Sequence, residues 1–200
     1  ILAVKPQNMA EALEGVASHQ SLVTRGKLII SIAAGIPLSY LQNKLPGFSI
    51  IRAMPNNPAL VGAGITVLSR ESRVAREIFE SVGEVVVVPE KLMDAVTGLS
   101  GSGPAYIYMV MEALAAGGVA AGLPKALAAR LALQTVAGAA QTAQLSGRSP
   151  RQLRAMVTSP GGTTIAGLAV LEKFKIHQAL AAAVKAAAGK SKIIRRRWGV

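Results

Sequence analysis

The sequence predicts an α/β layer built on a largely parallel sheet, followed by a region made of helices alone. Up to about residue 89, short β-branched runs alternate with helical windows, the pattern of strands joined by helical crossovers. Beyond about Glu90 no β-branched run recurs, and alanine dominates one long helical window after another. The expected organisation is therefore an α/β domain over 1–89 and an all-helical domain over 90–200.

Residues 1–4 (Ile-Leu-Ala-Val) read as a short buried strand that stops at Lys5-Pro6, and a polar helix is expected over about 7–18. Residues 28–32 form the next buried strand. A short helix follows with Pro37 as its first residue, a position where the missing N–H costs nothing. Residues 49–54 make a third strand, halted by Pro55-Asn56-Asn57-Pro58. Strands over 64–69 and 84–88 flank a charged helix over about 71–81. In the second half, Gly101-Ser102-Gly103-Pro104 is expected to open a helix, with Ser102 or Gly103 as cap and Pro104 at its first position. Gly122 and Pro124 close it. Further helices are expected over about 124–145, 150–157, 163–174 and 176–192.

Of the 200 residues 51% are hydrophobic and only 4% aromatic. A core must be packed from Ala, Leu, Val and Ile, and there is more apolar material than a monomer of this length needs. There is no cysteine, which rules out disulfides and thiolate metal sites. His19 and His177 are too few for a His-based metal site and read as ordinary structural or surface residues. Half of the net charge of +12 comes from Lys185, Lys190, Lys192, Arg195, Arg196 and Arg197, with no acid among them. No interleaved aromatics accompany these cations, so a nucleic-acid partner is not expected. A solvated helix end fraying into the terminus is expected instead. The span Pro104–Leu123 has the length of a membrane crossing, but it carries Glu112 in its middle, where a carboxylate is costly in lipid. A helix apolar all round is better explained as the core of a homodimer, with no membrane partner. The opening residues show no basic leader and read as the middle of a strand, so upstream residues are expected to be missing and a cytoplasmic location is expected.

Three motifs carry chemistry. Thr158-Ser159-Pro160-Gly161-Gly162-Thr163-Thr164 precedes an apolar helix. Its amides and hydroxyls would converge on a helix N-terminus, either as an anion site or as a plain cap. Gly101-Ser102-Gly103 mimics a dinucleotide loop, but no strand precedes it and no third glycine follows at the right spacing. Gly62-Ala63-Gly64 fails in the same way. Val4-Lys5-Pro6, Ser31-Ile32-Ala33-Ala34-Gly35 and Met54-Pro55-Asn56-Asn57-Pro58 close three predicted strands, and ligands of open α/β sheets lie beyond strand C-termini.

Taken in order, these motifs, with Arg52-Ala53 before Met54, Leu99-Ser100 before Gly101, Ala105-Tyr106 after Pro104, and Gly122-Leu123-Pro124, resemble the signature of the pyrroline-5-carboxylate reductases. The likeness runs to about Lys190. It implies a Rossmann-like N-terminal domain, a helical C-terminal domain that interlocks with that of a second copy, and dimers that often assemble further. It also implies reduction of 1-pyrroline-5-carboxylate to L-proline with NADPH or NADH, NADPH being the family's usual choice. By that likeness Val4, Lys5, Pro6, Ala34 and Asn56 line the nicotinamide and ribose. Ser159, Gly162, Thr163 and Thr164 hold the substrate carboxylate, Glu90 lies near the substrate, and Thr97 stands at the ring nitrogen as the catalytic group. An iminium accepts hydride at C5 without a strong general acid. The lack of an evident catalytic His or Cys therefore fits this reaction and argues against a Ser-His-Asp or thiol enzyme.

The chain departs from the family pattern at Asn57, Gly147, Ser149, Arg154-Ala155-Met156 and the Arg-rich end at Trp198. No G-x-G-x-x-G follows a strand, and the resemblance puts that loop upstream, in a missing part of roughly 60 residues. Such a chain would expose a sheet edge. Two other readings follow: a catalytically incomplete helical dimerisation scaffold, or another two-domain dehydrogenase of the hydroxyacid type, for which no matching catalytic Lys motif is present.

Overall fold

A computed structural model describes residues 1–18 and 27–199; His19 lies outside the described residues. The chain forms two compact units, Ile1–Pro104 with Ala182–Val200, and Ala105–Ala181.

In the first unit the strands are β1 (Leu28–Ser31), β2 (Ser49–Met54), β3 (Gly64–Leu68) and β4 (Gly83–Val87). They form one sheet in the order β1-β2-β3-β4 among the described residues. β1 pairs with β2 in parallel, and β3 with β4 likewise, but β2 and β3 run antiparallel. The expected first strand over 1–4 is reduced to a single parallel bridge between Leu2 and Ser31. The helices are α1 (Met9–Ser18), α2 (Leu38–Lys44), α3 (Arg73–Glu80) and α4 (Met93–Val96). Pro37 caps α2 from outside rather than starting it. The difference is slight, because a proline lacks the N–H at either position.

Alternation along β1 and β2 separates two faces. Ile29 and Ile50 turn toward Met9 and Leu13 of α1, Leu41 of α2 and Leu45 just after it. Ile30 and Ile51 turn toward Ala75 and Phe79 of α3. Arg52 pairs with Ser31 and shares the Ile50 face, at the C-terminal end of β2. It is only 1% exposed. α3 opens on Ser72, whose side chain accepts from the Ala75 amide, as its sequence suggests.

The segment after Glu90 differs most from expectation. Ser102 and Gly103 do not cap a new helix. α4 runs instead into a π turn over Thr97–Gly101, and α5 (Gly103–Ala120) follows it. The Ser102 amide donates to the Thr97 carbonyl at 2.9 Å, five residues back. One extra residue in the turn lets the helix continue through the run that was expected to start a new one.

The second unit holds most of α5, then α6 (Lys125–Ser146), α7 (Pro150–Met156), α8 (Thr163–Lys173) and the start of α9 (Ile176–Arg196). α7 opens with a reciprocal cap between Ser149 and Gln152. Small residues bring α5 and α6 together: a Cβ on Gly118 would stand 3.1 Å from that of Ala128. The larger apolar residues remain outside. α5 buries none of its residues, and Met109, Leu114, Leu131 and Leu133 are about half exposed. Among the described residues no helix is long and apolar enough to cross a membrane.

The basic tail is not frayed. α9 continues to Arg196, and the Trp198 ring stands 4.6 Å from that of Tyr40. The rule that chain ends fray fails here because specific partners hold this one.

Candidate active site

The parallel register brings three expected positions to one end of the sheet. Leu2 bridges Ser31, and Ser31 pairs with Arg52. Val4, Ala34 and Asn56 therefore all follow the C-terminal ends of neighbouring parallel segments, where open α/β sheets bind ligands. Val4 packs against the α1–α2 core, and Ala34 against Met54, Val67 and Met93. Lys5 has extended backbone and caps a short 3-10 turn, Pro6–Asn8. Asn56 uses its side-chain oxygen to accept the Ile65 amide at 2.9 Å. That bond takes the side-chain oxygen and leaves the NH2 group as the donor end of the amide.

Glu90 is held rather than hanging free. Its Oε1 accepts the Leu38 amide at 2.7 Å and Arg52 Nη1 at 3.2 Å. Burial holds the Arg52 guanidinium below its ordinary range, and the hydrogen bond to Glu90 works against that. Arg52 Nε and Nη2 are buried without a protein partner. The sequence reading passed over Arg52 as one more residue of a buried strand. A single cation among Ile50, Ile51, Ala53 and Met54 was the available signal, since arginine is almost never fully buried unpaired.

Thr97 begins the π turn. Its hydroxyl donates to the Met93 carbonyl at 2.8 Å, leaving oxygen lone pairs as acceptors. Gly101, at the other end of the turn, lies beside Met54 of β2: a Cβ there would stand 3.5 Å from Met54 Sδ. The turn thus lies against the strand whose next residues are Pro55 and Asn56. Asp94, the first residue of the motif that runs through Thr97 to Tyr106 and one with no role expected from sequence, is a buried acid bonded to Ser191 and paired with Arg195. No local pattern reveals those partners, which are about a hundred residues away.

Within the second unit, Ser159, Gly162, Thr163 and Thr164 come together at the start of α8. Gly161 has φ +71°, a left-handed conformation that glycine adopts without strain. The Gly162 amide donates to the Ser159 carbonyl at 3.0 Å, closing a tight turn. Gly162 is the N-cap and offers no side-chain acceptor, so no side chain of the cap takes up the first-turn amides. Ser159 Oγ lies beside Gly162, and Thr163 and Thr164 are the first residues of an amide-rich, positively polarised helix end. Among the described residues no group of three or more His, Cys, Asp or Glu is placed to hold a metal.

Residues 90–194 match the family described as pyrroline-5-carboxylate reductase dimerisation. A Synechocystis pyrroline-5-carboxylate reductase is 52% identical over 194 residues, spanning 94% of this chain and 71% of the relative. A pea enzyme of the same name is 48% identical over 199 residues, spanning 96% and 72%. Among solved structures, a Plasmodium falciparum pyrroline carboxylate reductase with NADP bound superposes with a TM-score of 0.86 at 36% identity, over 96% of this chain and 80% of that one. One from Coxiella burnetii gives 0.86 at 37% identity, over 96% and 74%. Identity at this level across nearly the whole chain leaves no place for the hydroxyacid dehydrogenase alternative, and the chain belongs to the pyrroline-5-carboxylate reductases.

Proposed function

We propose that this chain reduces 1-pyrroline-5-carboxylate to L-proline, the last step of proline biosynthesis, as a cytoplasmic homodimer. The observation that carries the reading is the common end of three parallel segments, which gathers Val4, Ala34 and Asn56 beside the turn that bears Thr97. That crevice suits the nicotinamide half of NADPH or NADH, which when bound supplies the hydride that adds to imine C5. The NADP in the Plasmodium relative supports this choice. Residues 1–89 serve the nucleotide, and 90–200 serve dimerisation and the substrate; the family match beginning at residue 90 supports the division.

The chain's residues bind and orient. Lys5 and Pro6 extend the crevice wall at Val4. The α8 N-terminus receives the substrate carboxylate through the amides of Gly162, Thr163 and Thr164 and the Ser159 hydroxyl. Thr97 Oγ, already donating to Met93, accepts the N–H of the protonated imine. This aligns the C=N bond without moving a proton. Glu90, fixed by Arg52 and Leu38, keeps negative charge near the iminium. Orientation of this kind supplies several kcal/mol or more of barrier reduction, on the order of what well-positioned reacting partners gain.

Oxidation of NADPH followed by absorbance tests the reading. Turnover that depends on added pyrroline-5-carboxylate is expected, and a folded dimer without it would overturn the assignment. The dimer has its own test. The half-exposed leucines of α5 and α6 are expected to be covered by a second copy. Sedimentation should give at least twice the chain mass, and Leu131→Glu should shift it toward one. A monomeric wild type would sink the dimer.

A further inference from the structure

The mechanism leaves one buried acid unused. Asp94 is 1% exposed. Its Oδ1 accepts from Ser191 Oγ at 2.7 Å. Its Oδ2 lies 3.0 Å from Arg195 Nη1, an ion pair whose alignment falls short of a hydrogen bond. Both partners stand on α9. Four residues after Asp94, Gly98 meets the same helix: a Cβ there would be 2.6 Å from the Val184 carbonyl oxygen and 2.8 Å from the Ala188 nitrogen. Val184, Ala188, Ser191 and Arg195 are spaced three or four apart and form one stripe of α9. Asp94 and Gly98 thus hold the α4 segment against that stripe by a charge-assisted bond at one end and by backbone contact at the other.

Thr97 sits between them, as the first residue of the π turn. Such turns are rare and need support from their surroundings. On its far side the turn meets Met54 of β2 through Gly101. The π turn is therefore gripped between α9 and the end of the strand that leads to Asn56. We propose that Asp94, acting through Ser191 and Arg195, is a positioning residue that sets where the Thr97 hydroxyl stands. The inference rests on the role given to Thr97 above. It predicts that an error introduced on α9 is felt as misalignment at the imine.

Asp94→Ala would strand Arg195 and is liable to unfold the unit, so Ser191→Ala is the variant of choice. It removes one hydrogen bond and leaves the ion pair. The expected result is a fall in kcat of about tenfold, the size of a sub-ångström misplacement of an orienting group, with the KM for NADPH unchanged. Ser191→Thr, which keeps the hydroxyl, should restore kcat. In a Thr97→Val background, Ser191→Ala should cost nothing further. An equal loss with and without the Thr97 hydroxyl, or an unchanged kcat, would overturn the inference.

A second readout needs no turnover. Hydrogen exchange of a peptide containing the Ser102 amide, which closes the π turn, should quicken about tenfold in Ser191→Ala while the sheet amides stay unchanged, because only the local opening is affected. A wild type that does not reduce pyrroline-5-carboxylate but shows this exchange difference refutes the reaction and leaves the positioning of the turn intact. Unchanged exchange refutes the positioning itself.

Discussion

Glu90→Ala is expected to destabilise the protein by about 3 kcal/mol, the low end of what a buried charge costs when its partner is removed. Arg52 is 1% exposed, and the Glu90 side chain 32%. Removing the carboxylate would leave the guanidinium in the sheet with two nitrogens already unpartnered and a third newly so. It would also strip the Leu38 amide of its acceptor at the start of α2. The low end applies because Glu90 is near enough to solvent for water to replace part of what it gives. For a chain of this length the loss corresponds to a fall in Tm of roughly 6–12 °C. Glu90→Gln keeps an oxygen for both donors and should lose less. Thermal unfolding of the two variants checks the ordering; a Glu90→Ala protein as stable as the wild type would show that Arg52 finds other partners.

Gly162→Ala is expected to raise the KM for pyrroline-5-carboxylate between about tenfold and a hundredfold, the weight of one hydrogen bond to a charged group. The backbone at Gly162 has φ −76°, which any residue adopts. The glycine is there for space. A Cβ would stand 2.5 Å from Ser159 Oγ and 3.1 Å from the Ser159 carbonyl oxygen. The added methyl would push the Ser159 hydroxyl out of the α8 N-terminus and leave the helix itself intact. An interaction made equally with bound substrate and transition state should change KM and spare kcat. Ser159→Ala should act in the same direction, and the double variant should add little to either. Steady-state kinetics with varied substrate would decide, and a wild-type KM in Gly162→Ala would remove Ser159 from the carboxylate site.

What the sequence made legible were features set by neighbours in the chain. The runs at 28–32, 49–54, 64–69 and 84–88 became strands because β-branched stretches bounded by Pro and Gly have few other solutions. The α8 N-terminus was legible because Gly161 and Gly162 precede an apolar window. The antiparallel pairing of β2 with β3 was not, since a buried strand reads alike in either direction. The α4 segment and its π turn were also hidden. The run Gly101-Ser102-Gly103, expected to start a helix, lies instead within a continuing helical path, where Gly98 rests against Val184 and Ala188 of α9 and Gly101 against Met54 of β2. The tail was misread for the same reason. Arg195 looks like one of several solvated cations until Asp94 is placed beside it.

The first unit is assembled from two separate stretches of chain, with Ala182–Val200 rejoining residues 1–104 after the whole helical unit has intervened. The bond between Asp94 and Ser191 spans 97 positions. During synthesis, α4 and its π turn emerge well before the helix that secures them. Loop-closure entropy must be met before those contacts return any stability. The Thr97 region therefore reaches its final form late, after the last turns of α9 have been translated. A nascent chain interrupted before Ser191 would carry the sheet and the helical unit but not a finished turn.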